Sequence, residues 1–250
     1  MLVVLCSAKG SPGVTTAGLA LAASGGILVE CDPAGGDIRC WSEAIRGQGA
    51  GLVELVAQLR AGEPDPDEIL GACADEPWPG VRVVTGPPSP ATAQNTLQVG
   101  EERLAAALAT SSTPVLADAG RWTTVPGMAA LARAASTVAV VLRPTVDGVE
   151  HAGHLIDGLH GTAARVCLLL VGDRPYGPAE VGAALGADVW GVLAMDAAGV
   201  ACLVTDGTVA KRWPRSELAR SASHLLSALA LGAAPESHDG GWPRPSLHKS

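Results

Sequence analysis

An apolar run, Leu2–Cys6, leads without a break into Ser7-Ala-Lys-Gly-Ser-Pro-Gly-Val-Thr-Thr16, and that loop leads into Ala17-Gly-Leu-Ala-Leu-Ala-Ala23. A buried strand, a tight turn carrying Gly10 and Gly13, and an Ala/Leu helix in direct succession form the opening unit of a parallel α/β sheet. A phosphate-binding loop is built the same way. Its glycines let backbone N–H groups turn inward, and the helix N-terminus adds positive potential. Against the usual pattern G-x-x-x-x-G-K-[ST], the window from Ala8 to Thr15 keeps Gly13 and Thr15. It has Ala8 for the opening glycine and Val14 for the lysine.

The rest of the chain repeats the alternation. Strands are predicted at Leu2–Cys6, Ile27–Cys31, Val81–Val84, Val115–Asp118, Thr137–Leu142, Val166–Val171 and Val189–Leu193. Several are continuous apolar runs, as strands covered on both faces are. Between Asp147 and Gly161 the period becomes helical, with Val149, Ala152, Ile156 and Leu159 on one stripe. The segment 61–80, with Pro64, Pro66, Pro77 and Pro79, reads as a polar, turn-rich connection around a short helix. The fold class is α/β, a mostly parallel sheet of seven to eight strands with helices on both faces. One domain is expected over residues 1–232, and the Pro/Gly/Ser/His-rich stretch 233–250 is expected to be a disordered tail.

The chain is 48% hydrophobic but has no Phe and one Tyr, so its core must be built from Ala, Val and Leu. A net charge of −8 argues against a globally basic nucleic-acid binder and leaves room for a local basic patch. The six cysteines show neither C-x-x-C nor zinc-finger spacing. Cys6, Cys31 and Cys167 lie in or at the end of apolar runs, which reads as buried thiols in a reduced, cytoplasmic chain. Neither a signal peptide nor an apolar run of about 18 residues is expected.

The loop resembles the deviant Walker A motif of the MinD/ParA family of P-loop ATPases, K-G-G-x-G-K-[ST]-T. Lys9, Gly10, Gly13, Thr15 and Thr16 match it, Ser11 replaces the second glycine, and Val14 replaces the second lysine. The resemblance implies a nucleotide-binding loop made of Lys9, Gly10, Ser11, Pro12, Gly13, Val14, Thr15 and Thr16. It also implies a catalytic role for Lys9, reaching across a dimer to the partner's nucleotide. Glu30-Cys-Asp-Pro-Ala-Gly-Gly-Asp37 stands where the family has D-x-D-P-x-G-N; Asp32, Pro33 and Gly35 match, and Glu30 replaces the first Asp. The second implied catalytic residue is Asp32, which orients the attacking water or reaches the magnesium shell. A carboxylate close to phosphates is repelled unless a cation lies between them.

Pro114-Val-Leu-Ala-Asp-Ala-Gly-Arg121 resembles a Walker B strand with Asp118 at its tip. The implied metal set is therefore Thr15, Asp32 and Asp118. Arg121 departs from the family's D-x-P-x-G and either contacts phosphate or lies on the surface. Asp173 follows Leu168–Gly172 where the family often carries an adenine-reading Asn; it can accept from the exocyclic amine but cannot also donate. Thr145 or Asp147 is expected to cap the helix that follows. His151 and His154, spaced i, i+3, read as a solvated helix face. Lys211, Arg212, Arg215 and Arg220 stand against Glu217 alone over 208–220. That segment reads as a solvated basic loop or a weak DNA contact. The helix expected at Ser216–Leu229 lacks the Lys and aromatics of a membrane-surface helix.

The resemblance implies ATP and Mg²⁺ as cofactors and an ATP-dependent homodimer as the switching unit. The implied task is to position cargo: a chromosome or plasmid, a septum, or pilus or secretion machinery. The implied partners are a protein of such a system, DNA only weakly, and membrane only peripherally. Val14 in place of lysine implies weak or slow hydrolysis. The alternative is a non-catalytic scaffold of the same fold that binds nucleotide poorly or not at all.

Overall fold

The structure, a computed structural model, describes residues 1–9, 12–45, 49–162, 165–204 and 210–230. Gly10, Ser11 and the expected tail 233–250 lie outside the described residues. The chain opens with β1 (Leu2–Ser7), α1 (Val14–Ala22) and β2 (Ile27–Glu30), then a short α2 (Ile38–Trp41), α3 (Gly51–Ala61) and α4 (Pro66–Cys73). Next come β3 (Asp75–Trp78), β4 (Val81–Val84), α5 (Pro90–Thr110), β5 (Val115–Arg121), α6 (Pro126–Ala134) and β6 (Thr137–Leu142). The chain continues through α7 (Val146–Leu159), β7 (Val166–Val171), α8 (Pro178–Leu185), β8 (Val189–Leu193) and α9 (Ala197–Val204). A 3₁₀ segment (Ala210–Arg215) leads into α10 (Glu217–Ala230).

Among the described residues eight strands form one sheet in the order β3-β4-β2-β5-β1-β6-β7-β8. All neighbours pair in parallel except β3 with β4. Because successive side chains on a strand face opposite ways, β1 splits between two cores. Leu2, Val4 and Cys6 meet residues of α3 to α8, while Val3 and Leu5 meet α1, α9 and α10. Each strand buried on both faces thus explains its unbroken apolar sequence.

Two expectations are corrected. The segment 61–80 contains a strand as well as a helix: β3 pairs antiparallel with β4, Trp78 facing Val81. Pro77 is tolerated there because β3 is an edge. Asp118 is not a strand tip, since β5 runs on through Ala119 and Gly120 to Arg121. The register between β1 and β5 shifts after Leu5, setting Ser7 beside Arg121, and the Trp122 N–H donates to the Ser7 carbonyl.

Thr145 caps α7, its hydroxyl accepting from the Gly148 N–H at 3.3 Å, and Ala152, Ile156 and Leu159 form the buried stripe. In α10, Leu218, Ala222, Leu225 and Leu226 are buried against the α1 side of the sheet. Among the described residues no helix is long and apolar enough to cross a membrane.

Candidate functional site

Parallel packing of β1, β5 and β2 brings three chain segments together at the C-terminal edge of the central strands. This edge is where open α/β sheets bind ligands. From β1 comes the loop into α1. Gly13 is the N-cap of α1 with φ 106°, a left-handed conformation that glycine adopts without a Cβ penalty. As a glycine it has no side chain to cap the helix, which leaves the first N–H groups of α1 without a cap from that residue. Pro12 is buried, Lys9 is exposed, and Thr15 and Thr16 are half-buried on the first turn. Val14 is only 6% exposed and packs into the core between α1 and the sheet.

From β5 comes Asp118, 1% exposed on the face that meets α1. Its carboxylate accepts from the Gly120 N–H at 2.9 Å and from the Thr15 hydroxyl. Burial pushes its pKa up to about 6 despite those two donors, and the nearby Asp32 and Asp37 carboxylates push the same way. From β2 comes Asp32, which accepts from the Ala34 N–H at 2.7 Å. Its carboxylate lies against Gly120, where a Cβ would overlap it. Partial burial raises the Asp32 pKa as well. Thr15, Asp118 and Asp32 are thus brought together by three different strand ends.

Glu30 does something the sequence did not disclose. It is 3% exposed, and its carboxylate accepts three backbone N–H bonds: Asp37 at 2.9 Å, Ile38 at 3.1 Å and Gly86 at 2.9 Å. Burial, the largest influence, still lifts its pKa to about 7. Glu30 therefore fastens the loop after β2 to the loop after β4. A glutamate closing an apolar strand next to Gly35-Gly36 was the one available signal, because buried carboxylates need several donors. Gly36 and Gly86 pack directly against Glu30 and leave no room for a side chain.

The remaining predicted residues fall into two groups. Arg121 ends β5 and, with Lys9, lines a cavity beside the loop. His151 and His154 line that same cavity from α7. Asp173 is exposed after β7, and no interaction joins it to the loop among the described residues. Asp196, between β8 and α9, has a structural task. It accepts from the Gly199 and Glu217 N–H groups at 2.8 and 2.9 Å, holding α9 to α10. Arg212, Arg215 and Arg220 are exposed around the start of α10.

Among the described residues the arrangement offers hydroxyl and carboxylate oxygens only, and no ion pair joins the buried Asp118 or the half-buried Asp32. That donor set fits a hard divalent cation. Among the described residues no three His, Cys, Asp or Glu side chains converge as an all-protein metal cage. One or two carboxylates beside a phosphate is the kind of site Mg²⁺ uses.

An eight-stranded, mostly parallel sheet opened by a glycine-capped strand-to-helix loop is the fold of the MinD/ParA-type P-loop ATPases. The chain is similar to the ParA family ATPase of Chlorobium tepidum, with a TM-score of 0.70 and 17% identity over 90% of this chain and 98% of that one. It is similar also to the cell division ATPase MinD of Pyrococcus furiosus, with a TM-score of 0.68 and 15% identity over 93% and 99%. The septum site-determining protein MinD of Pyrococcus horikoshii, complexed with Mg-ADP, gives 0.61 and 13% over 91% and 95%. No family model matches the chain, and no curated protein does.

Proposed function

We propose that this protein is a nucleotide-binding switch of the MinD/ParA kind, which binds ATP with Mg²⁺ and positions a cellular cargo through a protein partner. The observation that carries the reading is the convergence of the Thr15 hydroxyl on the buried Asp118 carboxylate, with Asp32 beside it, under the Gly13-capped start of α1. The backbone of the loop from Lys9 to Thr16 and the helix N-terminus would hold the phosphates. Thr15, Asp118 and Asp32 are the residues that would hold Mg²⁺. When bound, the cation neutralises the repulsion between phosphates and carboxylates. That a similar fold is crystallised with Mg-ADP supports the cofactor assignment.

Lys9, exposed at the loop, is free to meet a second subunit, which supports an ATP-dependent homodimer. Asp32 is the residue proposed to position water for hydrolysis, and Asp173 the one proposed to meet the base. Hydrolysis is slow in this reading, because no lysine amine stands at position 14. Equilibrium titration with ATP, with and without Mg²⁺ and read beside the oligomeric state, tests the proposal. Wild-type protein binds more tightly with Mg²⁺, and Asp118→Ala folds but loses that dependence. If Mg²⁺ makes no difference to the wild type, the site is not the one described.

A second reading, the non-catalytic scaffold, is favoured by one observation. Val14 is committed to the core rather than to the loop. It predicts no measurable ATP affinity and the same oligomeric state with or without nucleotide.

A further inference from the structure

Two cavities open beside Lys9, against α7. The larger, about 420 Å³, is lined by Lys9, Arg121, His151, His154, Trp122 and Leu155. Among the described residues no carboxylate lines it. The ion pairs among the described residues lie elsewhere, joining Arg39 to Asp75, Arg133 to Glu102 and Arg165 to Asp188, and none includes Lys9 or Arg121. A protein of net charge −8 thus gathers two permanent cations and two imidazoles in one concavity. An indole and a leucine form its apolar wall. The adjoining cavity of about 240 Å³ shares Lys9 and His151 and adds Arg143, with Asp147 as its carboxylate.

We propose that this pocket docks an acidic segment of a partner protein, a glutamate- or aspartate-bearing peptide with an aliphatic or aromatic side chain next to the acid. The guanidinium of Arg121 and the amine of Lys9 are donors for a carboxylate. Trp122 and Leu155 take the neighbouring apolar side chain, as buried aromatic anchors do at interfaces. A nucleic-acid backbone is held by rows of cations along an extended surface. Here the cations converge on a concavity of side-chain size with an apolar wall, so a peptide fits better. Lys9 places the docked segment in contact with the loop that precedes α1, which would let partner binding and nucleotide binding sense each other. The docking shares Lys9 with the nucleotide reading but uses none of Thr15, Asp32 and Asp118, so titrating the peptide without nucleotide tests it apart from that reading.

The test uses the full chain without nucleotide and a fluorescent peptide of about 12 residues with two glutamates to each leucine. Fluorescence anisotropy at low salt is expected to give saturable binding. Arg121→Glu and His154→Glu, both at exposed positions, weaken it by roughly tenfold or more. Arg215→Glu, in the 3₁₀ segment before α10 on the other face of the sheet, changes it less than about twofold, as expected of a charge outside the contact. Circular dichroism confirms that each variant is folded. The proposal is overturned if no saturation occurs below about 1 mM, a free energy near −4 kcal/mol. It is overturned equally if Arg215→Glu weakens binding as much as Arg121→Glu. A single-stranded oligonucleotide of the same length binding more tightly than the peptide also overturns it, in favour of nucleic acid.

Discussion

Putting a lysine back at position 14 tests the loop most directly. Val14 is 6% exposed and sits in the core between α1 and the sheet, so its apolar surface contributes about 1.5 kcal/mol or more to folding. A lysine stem retains part of that burial if the amine turns outward to the loop, as amphipathic side chains do. Val14→Lys is therefore expected to cost about 1–2 kcal/mol of stability without ligand. With ATP bound, the amine gains a charge-assisted hydrogen bond to phosphate, about 1.5–3 kcal/mol. Since about 1.4 kcal/mol is a factor of ten, ATP affinity rises roughly 10- to 100-fold. The two effects separate experimentally. A thermal melt without nucleotide falls, and isothermal titration with Mg²⁺ and ATP tightens. A variant that melts cooperatively, keeps its circular dichroism, and gains less than about threefold in affinity would refute the reasoning. Its loop would not be shaped for phosphate, and the scaffold reading would stand.

Lys9→Ala should leave nucleotide binding by the monomer nearly unchanged and remove ATP-dependent dimerisation, read by light scattering; loss of monomer binding instead would place Lys9 on its own subunit's nucleotide. Gly120→Ala forces a Cβ into the Asp32 carboxylate at a residue with φ 55°, so at least about 1–3 kcal/mol of stability is lost and Mg²⁺ dependence weakens with it; an unchanged melt would mean that Asp32 does not rest there. Glu30 and Asp118 keep protons in the folded protein up to about pH 7 and about pH 6, against ordinary values of 4.5 and 3.8. Folding therefore takes up protons across that window. Their contribution is fully present below about pH 4 and is lost as the pH climbs to about 7, a few kcal/mol in all. Urea titrations of the metal-free protein between pH 4 and pH 7.5 should show stability falling, whereas a flat profile would mean both carboxylates are better solvated than their burial indicates.

The alternation of apolar runs and helical periods exposed most of the fold, because strands covered on both faces have no polar face to disguise them. Val81–Val84, Thr137–Leu142, Val166–Val171 and Val189–Leu193 form strands with the predicted bounds. β3 escaped because Asp75-Glu-Pro-Trp78 is an edge strand, held by one neighbour and written in residues that also make turns. The extension of β5 past Asp118 escaped because Ala119 and Gly120 carry no strand preference of their own; the pairing of Asp118 with Leu5 and of Arg121 with Ser7, on either side of the register shift, carries the strand through them. In the site, Thr15, Asp32 and Asp118 were named by the resemblance, Thr15 and Asp32 in segments that follow strands and Asp118 inside one. Glu30 was legible only as a substitution, because the N–H groups that define it come from residues 37, 38 and 86. The pocket against α7 was invisible for the same reason: Arg121 and His154 are neighbours only after β1, β5 and β6 align.

The three bonds to Glu30 have a mechanical side. One carboxyl joins the strand that delivers Asp32, the start of α2, and the turn that follows β4. The loop bearing Asp32 therefore cannot swing as a loose flap hinged at β2 alone. Its movement must drag or break a link to β4, which lies between β2 and the edge strand β3. Movement of that edge would reach the Asp32 loop through Glu30 and through the Gly36 N–H, which donates to the Pro87 carbonyl at 3.0 Å. Glu30 is then a pin that holds the Asp32 loop and the turn after β4 in one position.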